Sequence, residues 1–184
     1  MLCTHVSPPL KDIVREVNVE SNNHYAEHLI RTIGRKSKQD VYADAREAGT
    51  TYVSDYWKKR GFDVTSLQMY DGSGLAPQNA VSAQFLTQLL VYMYNTSENT
   101  SSFIGSLPKA GQEGTLKNFM GNTRYRGKIV AKSGSIGGVQ CYAGYLVDDN
   151  KKYAFAVMVN KFNGTRPQVR SAIEEFILAI EGNP

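Results

Sequence analysis

Three apolar runs separated by two tight turns are the feature that most restricts how this chain can fold. The runs cover about residues 128–135, 139–147 and 152–160. The turns between them, at Gly137-Gly138 and at 148–150, are too short for parallel neighbours, which need a crossover of a dozen residues or more. The pattern therefore predicts an antiparallel meander. Its first strand carries a cation and two hydroxyls in Lys132-Ser133-Gly134-Ser135.

A helix should follow the meander and pack on it. Thr165-Arg166-Pro167-Gln168 has the form of a capping box with proline in the first turn, which marks the start of a helix. The apolar residues that follow recur at helical spacing: Val169, Ile173, Phe176, Ile177 and Ile180. We therefore expect a final helix to about Ile180 that lies on one face of the sheet.

Apolar residues at helical spacing predict that most of the first half of the chain is helical. The predicted helices cover about residues 10–17, 23–34, 41–59 and 82–94, with a short one at 115–120 and loops at 95–101 and 106–114. Residues 2–6 look like the end of a strand. The expected fold class is α/β (α+β), with the C-terminal helix on one face of an antiparallel sheet and a helical cluster on the other.

Composition narrows the class of protein. The chain has 184 residues, 41% of them hydrophobic and 21% charged, as in an ordinary single soluble domain. The net charge of +4 is spread over scattered Lys and Arg residues, so no nucleic-acid partner is expected. We expect no membrane span and find no signal-peptide pattern after Met1. Cys3 and Cys141 lie far apart, and a buried free thiol is favoured for Cys141.

Two short motifs carry candidate chemistry. Lys132-Ser133-Gly134 lies on the first predicted strand of the meander, and Ser21-Asn22-Asn23 lies in a polar turn before a helix. Alone, each has a plain structural interpretation, as a strand end and as a helix cap. Together they match two of the three elements of the penicillin-recognising serine enzymes, whose third element is a Ser-x-x-Lys pair on one helical turn.

The order of these motifs and their neighbours extends the match. The matching blocks lie at residues 7–10, 21–29, 71–75 with Asn79, 106–116, and 131–139 with 143–145. Through nearly its whole length the chain resembles the D-alanyl-D-alanine carboxypeptidase/endopeptidase family, the class C low-molecular-mass penicillin-binding proteins. The resemblance implies a β-lactamase/transpeptidase-like fold and acyl-enzyme cleavage of terminal D-Ala from peptidoglycan stem peptides, without a cofactor. It implies β-lactams as further ligands and a periplasmic or other extracytoplasmic location, and it leaves carboxypeptidase and endopeptidase activity both open.

The resemblance also implies residue roles. Ser21 would relay protons, Asn23 would orient the substrate amide, and Lys132 would stabilise charge. The Ser133 hydroxyl would bind the terminal carboxylate. Gly134 would bind substrate with its two neighbours on the strand. The N–H of Ser135 would form half of the oxyanion hole, the other half being the N–H of the nucleophile.

The chain departs from the family pattern where the nucleophile should be. The family's Ser-x-x-Lys pair lies far upstream of its Ser-x-Asn element, whereas only 20 residues precede Ser21 here. The literal match Ser106-Leu107-Pro108-Lys109 has proline where the helix should continue, so we do not expect it to be the nucleophile. Residues 1–184 are therefore expected to be the C-terminal part of the domain, inactive alone. The fold would be incomplete, with an exposed sheet edge that favours a homodimer.

Two alternatives compete with this interpretation. His24 to His28 spells His-x-x-Glu-His, a zinc-peptidase pattern in which His24 and His28 would bind the metal and Glu27 would act as the base. Glu98 or Glu113 could supply a third ligand. The family resemblance explains the stretch without a metal, so none is expected. The other alternative is a non-catalytic fragment that binds the cell wall.

Overall fold

Helices precede a three-stranded sheet, and one helix follows it. The computed structural model describes residues 3–38, 42–148 and 151–182. Those residues contain six α-helices, one 3₁₀ helix and three strands. They are α1 (Leu10–Glu20), α2 (Asn23–Ser37), α3 (Ala45–Lys58), α4 (Ala83–Asn95), α5 (Thr100–Ser106), the 3₁₀ turn (Gly114–Leu116), β1 (Ile129–Ile136), β2 (Val139–Asp148), β3 (Lys151–Asn160) and α6 (Arg166–Gly182).

The sheet is the predicted meander, with antiparallel strands in the order β1-β2-β3. Side chains alternate between the two faces of a strand, and paired residues share a face. Ile129 and Tyr142 therefore lie on one face, and Val130 and Tyr145 on the other. Within the described ranges, the outer edge of β3 pairs with no strand.

Each face of the sheet has its own core. The core on the α6 face contains the buried residues Ala110, Leu116, Phe119, Met120, Tyr125, Ile129, Ala131, Tyr142, Leu146, Val169, Ile173 and Ile177. On the opposite face, Leu90 of α4 packs with Leu107 and Tyr145. The Tyr145 hydroxyl donates to the Leu90 carbonyl at 2.7 Å, so its burial leaves no orphan polar atom. The predicted placement of the helices on both faces is confirmed.

Both cysteines are free thiols, Cys3 exposed and Cys141 partly buried in β2. Burial raises the pKa of the Cys141 thiol. The prediction that Cys141 is a free thiol on a strand is confirmed, but the side chain is only partly buried. No helix in the described parts of the chain is long and apolar enough to cross a membrane.

The start of α3 differs from the prediction. The helix begins at Ala45 rather than near Val41, which lies outside the described residues. Asp44 sets this boundary, because its carboxylate accepts the free N–H groups of Arg46 at 2.8 Å and Glu47 at 3.4 Å. The helical spacing of apolar residues did not reveal this cap.

Three further predictions of regular structure were wrong. Residues 100–101 and 106, predicted as loop, belong to the helix Thr100–Ser106, because Phe103 and Ile104 pack on the α4 face of the sheet. The predicted helix at 115–120 is reduced to the 3₁₀ turn, and residues 3–6 form no strand.

The α2–α3 crossing is closer than any side chain allows. A Cβ atom added to Gly34 would lie 1.8 Å from the Ala45 carbonyl oxygen, and one added to Gly49 would lie 2.1 Å from that of Ile30. Each glycine therefore lets one helix backbone contact the other.

Gly34→Ala should force α2 and α3 apart and lower the free energy of unfolding by about 2–3 kcal/mol, measured by urea denaturation. Gly105→Ala in α5 is the matched control, since an added Cβ there meets nothing within 4 Å. It should be neutral or stabilise by up to about 1 kcal/mol. Equal effects of the two substitutions would contradict the close crossing.

Candidate active site

Ser21 lies between α1 and α2, where it is the C-cap residue of α1 but is not the N-cap of α2. Asn22 is the N-cap of α2, and its side chain accepts the N–H of Tyr25 at 3.1 Å. Ser21 has left-handed backbone angles, with φ 57°, which are uncommon for a residue with a side chain. Its hydroxyl instead accepts a hydrogen bond from Lys132 Nζ at 2.8 Å. The structure therefore joins the two motifs that the sequence placed 111 positions apart.

Lys132 places a cation between the sheet and the helices. It shares the face of Val130, towards the helical cluster, and its Nζ also donates to the Ser133 carbonyl at 2.7 Å. Burial lowers the pKa of this amine, because removal from water disfavours the charged form. The ammonium is thus held by two oxygens beside the outer edge of β1.

Only the first half of the outer edge of β1 is covered. The segment 108–110 runs along it, and the Ala131 N–H donates to the Pro108 carbonyl at 3.2 Å. Backbone groups alternate along an antiparallel strand, so those of Ser133 and Ser135 point to the same side as those of Ala131. No backbone group in the described ranges pairs with that side of Ser133 or Ser135. An extended ligand can therefore add to the edge here.

A residue to which the sequence gave no role joins the site. The Ser133 hydroxyl donates to the Thr115 hydroxyl at 2.8 Å. Thr115 belongs to the 3₁₀ turn, whose Gly114 has φ +46° and approaches α1 so closely that an added Cβ would lie 2.1 Å from the Val19 carbonyl oxygen. The signal in the sequence was Gly114 itself, since a glycine often marks close backbone approach.

The segment from the end of α5 to the 3₁₀ turn fixes α1, and with it Ser21. Arg15 donates to the Gly105 carbonyl at 2.8 Å and pairs with Glu113 at 3.2 Å. Asn18 donates to the Ser106 hydroxyl at 2.8 Å. Three contacts along α1 therefore hold the helix that ends at Ser21.

Ser106 has a structural role. It is 1% exposed, and its hydroxyl donates to the Phe103 carbonyl at 2.6 Å. The helix α5 ends at Ser106, so the exposed Lys109 does not share a helical turn with it. The geometry required of a Ser-x-x-Lys nucleophile is absent at this match.

Asn23 lies at the first position of α2, two residues after Ser21, with its side chain exposed. It makes no hydrogen bond to Ser21, Lys132 or Ser133 among the described residues. Ser21, Lys132 and Ser133 are brought together, whereas Gly134 and Ser135 are exposed along the open edge of β1. The roles given to all six residues stay predictions.

Within the His-x-x-Glu-His stretch, the side chain of Glu27 makes structural contacts. The Glu27 carboxylate accepts the N–H of Gly72 at 3.0 Å and pairs with Arg31 at 3.0 Å. It thereby ties α2 to the turn at Gly72. His24 and His28 are exposed, and the described part of the chain contains no group of three His, Cys, Asp or Glu side chains that could hold a metal ion.

Ser21→Ala should lower the pKa of Lys132 further, because it removes an acceptor that favours the ammonium. Since the pKa in the folded protein lies below the ordinary 10.5, stability should rise as the pH rises through that pKa towards 10.5. An NMR pH titration of the Lys132 Nζ resonance measures the shift. Ser171→Ala, at an exposed position of α6, is the control that should leave it unchanged. A pKa that stays constant or rises in Ser21→Ala would refute the hydrogen bond.

Comparison with known proteins identifies the family. Residues 1–180 match the model of the D-Ala-D-Ala carboxypeptidase 3 (S13) family. A D-alanyl-D-alanine carboxypeptidase from Actinomadura sp. (strain R39) is 31% identical over 172 residues, which cover 91% of this chain and 31% of that protein. D-alanyl-D-alanine carboxypeptidase DacB from Haemophilus influenzae is 26% identical over 166 residues, 89% of this chain and 34% of that protein. The chain thus spans about a third of the length of these relatives.

Solved structures share the fold. Penicillin binding protein 4 (dacB) from Haemophilus influenzae, complexed with a β-lactam, matches with a TM-score of 0.85 and 23% identity, over 96% of this chain and 42% of that one. A predatory endopeptidase from Bdellovibrio bacteriovorus, in complex with an immunity protein, matches with a TM-score of 0.73 and 21% identity, over 95% and 43%. These matches confirm the expected fold class. Because the family model covers residues 1–180, this chain belongs to the D-Ala-D-Ala carboxypeptidase 3 (S13) family.

Proposed function

We propose that this chain supplies the proton-relay and carboxylate-binding half of a serine-type D-Ala-D-Ala carboxypeptidase that acts on peptidoglycan stem peptides. The hydrogen bond from Lys132 to Ser21, at 2.8 Å, is the observation that carries the proposal. It unites the Ser-x-Asn and Lys-Ser-Gly elements beside an open strand edge. Membership of a family described as D-Ala-D-Ala carboxypeptidases supports the reaction class.

The open edge of β1 suits an extended peptide. A stem peptide would pair with the outward backbone groups of Ser133 and Ser135. Its terminal carboxylate would accept from the Ser133 hydroxyl and lie near the ammonium of Lys132. The carbonyl before the terminal D-Ala would then face the Ser135 N–H, which stabilises the oxyanion formed on attack by the serine nucleophile. Asn23 would orient the substrate amide.

Ser21 is suited to deliver a proton. Because Lys132 Nζ donates to its oxygen, the hydroxyl proton of Ser21 can point away towards the leaving amine. The attacking serine loses its proton to its activating base as its oxygen bonds the carbonyl carbon. The peptide C–N bond then breaks as the D-Ala amine takes the Ser21 proton. The proton lost by the attacking serine passes to the Ser21 oxygen, which Lys132 stabilises meanwhile. Water then hydrolyses the acyl-enzyme ester.

The attacking serine is proposed to lie outside these 184 residues. The Ser-x-x-Lys match inside them begins at Ser106, the last residue of α5. The side chain of Ser106 is buried, so it is not an accessible nucleophile. The 184-residue chain should then be inactive alone, and the complete enzyme would bind β-lactams and act outside the cytoplasm.

We also propose that two copies of the chain pair through the outer edge of β3. Sedimentation equilibrium would disprove this dimer by showing a monomer at all concentrations.

Incubation with a labelled penicillin should give no covalent adduct on the 184-residue chain in intact-mass analysis. The Haemophilus influenzae penicillin binding protein 4 serves as the positive control, since it was solved with a β-lactam. An adduct, on Ser106 above all, would overturn the proposal that the nucleophile lies elsewhere.

Lys132→Met should weaken noncovalent binding of N-acetyl-D-Ala-D-Ala by about 10- to 100-fold, because it removes a charged contact to the carboxylate. In the unsubstituted chain, binding should also fall as the pH rises through the lowered pKa of Lys132. NMR titration of the ¹⁵N-labelled chain measures both effects. Lys117→Met, at an exposed position near the 3₁₀ turn, is the control. If Lys132→Met and Lys117→Met bind N-acetyl-D-Ala-D-Ala with equal affinity, the result would favour a fragment that lacks this carboxylate site.

A further inference from the structure

We propose that Thr115 is a substrate-binding residue, whose hydroxyl takes one oxygen of the terminal carboxylate while the Ser133 hydroxyl takes the other. The inference rests on the proposed function and adds a residue to its carboxylate site. Ser133 Oγ donates to Thr115 Oγ1 at 2.8 Å, so the two hydroxyls are already adjacent.

The Thr115 hydroxyl has an unused proton. It accepts the hydrogen bond from Ser133, and no acceptor for its own proton lies within hydrogen-bond distance among the described residues. The side chain is exposed, so a ligand can reach it. A hydroxyl supplies one donor, whereas a carboxylate offers two oxygens. When a carboxylate binds, the Ser133 hydroxyl turns its one proton from Thr115 Oγ1 to one carboxylate oxygen, and the Thr115 hydroxyl donates its own proton to the other.

The backbone around Thr115 is held in place. Gly114 lies against the Val19 carbonyl, and Leu116 is fully buried. The Leu116 carbonyl accepts the N–H of Gly111 at 2.9 Å, and Glu113 is paired with Arg15. Thr115 is thus fixed between a residue packed on α1 and a residue packed in the core. Binding need not order a loose loop to use this hydroxyl.

The two hydroxyls and Lys132 approach the open edge of β1 from opposite sides. The Ser133 side chain lies on the α6 face of the sheet, and Lys132 lies on the other face. Lys132 Nζ bonds the Ser133 carbonyl, which points to the outer edge. A carboxylate at this edge would meet a cation on one side and a pair of donors on the other. A terminal amide, which has one oxygen and no charge, matches this arrangement poorly. Thr115 should therefore favour peptides that end in a free carboxylate.

The test compares N-acetyl-D-Ala-D-Ala with its C-terminal amide, titrated into the ¹⁵N-labelled 184-residue chain and followed at the amides of Gly134 and Ser135. Thr115→Val should bind the acid about tenfold more weakly and the amide almost unchanged. Thr115→Ser should restore the preference for the acid. Thr51→Val on α3, an exposed threonine outside the site, is the matched control and should change neither affinity.

Two results would overturn the role of Thr115. One is an unchanged preference for the acid in Thr115→Val. The other is an equal loss for acid and amide that Thr115→Ser does not rescue, which indicates a structural role only. If Thr115→Val does not fold, as judged by circular dichroism, Thr115→Ala replaces it. The proposed function is refuted instead if the unsubstituted chain does not bind the acid, or if Lys132→Met leaves the affinity for the acid unchanged.

Discussion

The hydrogen bond from Lys132 to Ser21 is the contact on which the arrangement of the site depends. It joins a strand of the sheet to the turn between two helices, and it does so with a half-buried ammonium. Removing a cation from water is unfavourable unless oxygens replace the lost hydration. The Ser21 hydroxyl and the Ser133 carbonyl provide that replacement, so the turn and the strand hold each other in place through the charge.

The segment from α5 to the 3₁₀ turn positions both sides of this contact. Towards α1 it offers the Gly105 carbonyl, the Ser106 hydroxyl and the Glu113 carboxylate. Towards β1 it offers Thr115, and it forms a backbone bridge to Val130 through Lys109. A segment with little regular structure of its own thus fixes the distance between the helix that ends at Ser21 and the strand that carries Lys132.

The sequence predicted the elements whose causes are local. Tight turns and apolar runs were sufficient for the meander, and a capping box with helical spacing was sufficient for α6. The helix α5 was missed because Phe103 and Ile104 alone do not make a periodic pattern, and the packing that stabilises them comes from distant residues. The contact of Thr115 with Ser133 depends on how a turn folds back over 18 positions, which spacing does not encode.

The candidate site was predictable only in part, because some of its contacts also depend on residues that are distant in the sequence. Motif order placed Ser21 and Lys132 in one site, although a helix cap was an equally ordinary interpretation of Ser21. Only the structure shows that Asn22 takes the cap, which leaves the Ser21 hydroxyl to Lys132. Nothing local in the sequence distinguishes these two neighbours, because both side chains can cap a helix.

The half-covered edge of β1 has a consequence for any strand that adds to it. Residues 108–110 occupy the edge as far as Ala131, so an added strand can pair only alongside the stretch from Ser133 onwards. Pro108 and its neighbours form a wall at one end of that stretch. An added strand can therefore extend past Ser135 at one end, whereas residues 108–110 stop it at the other.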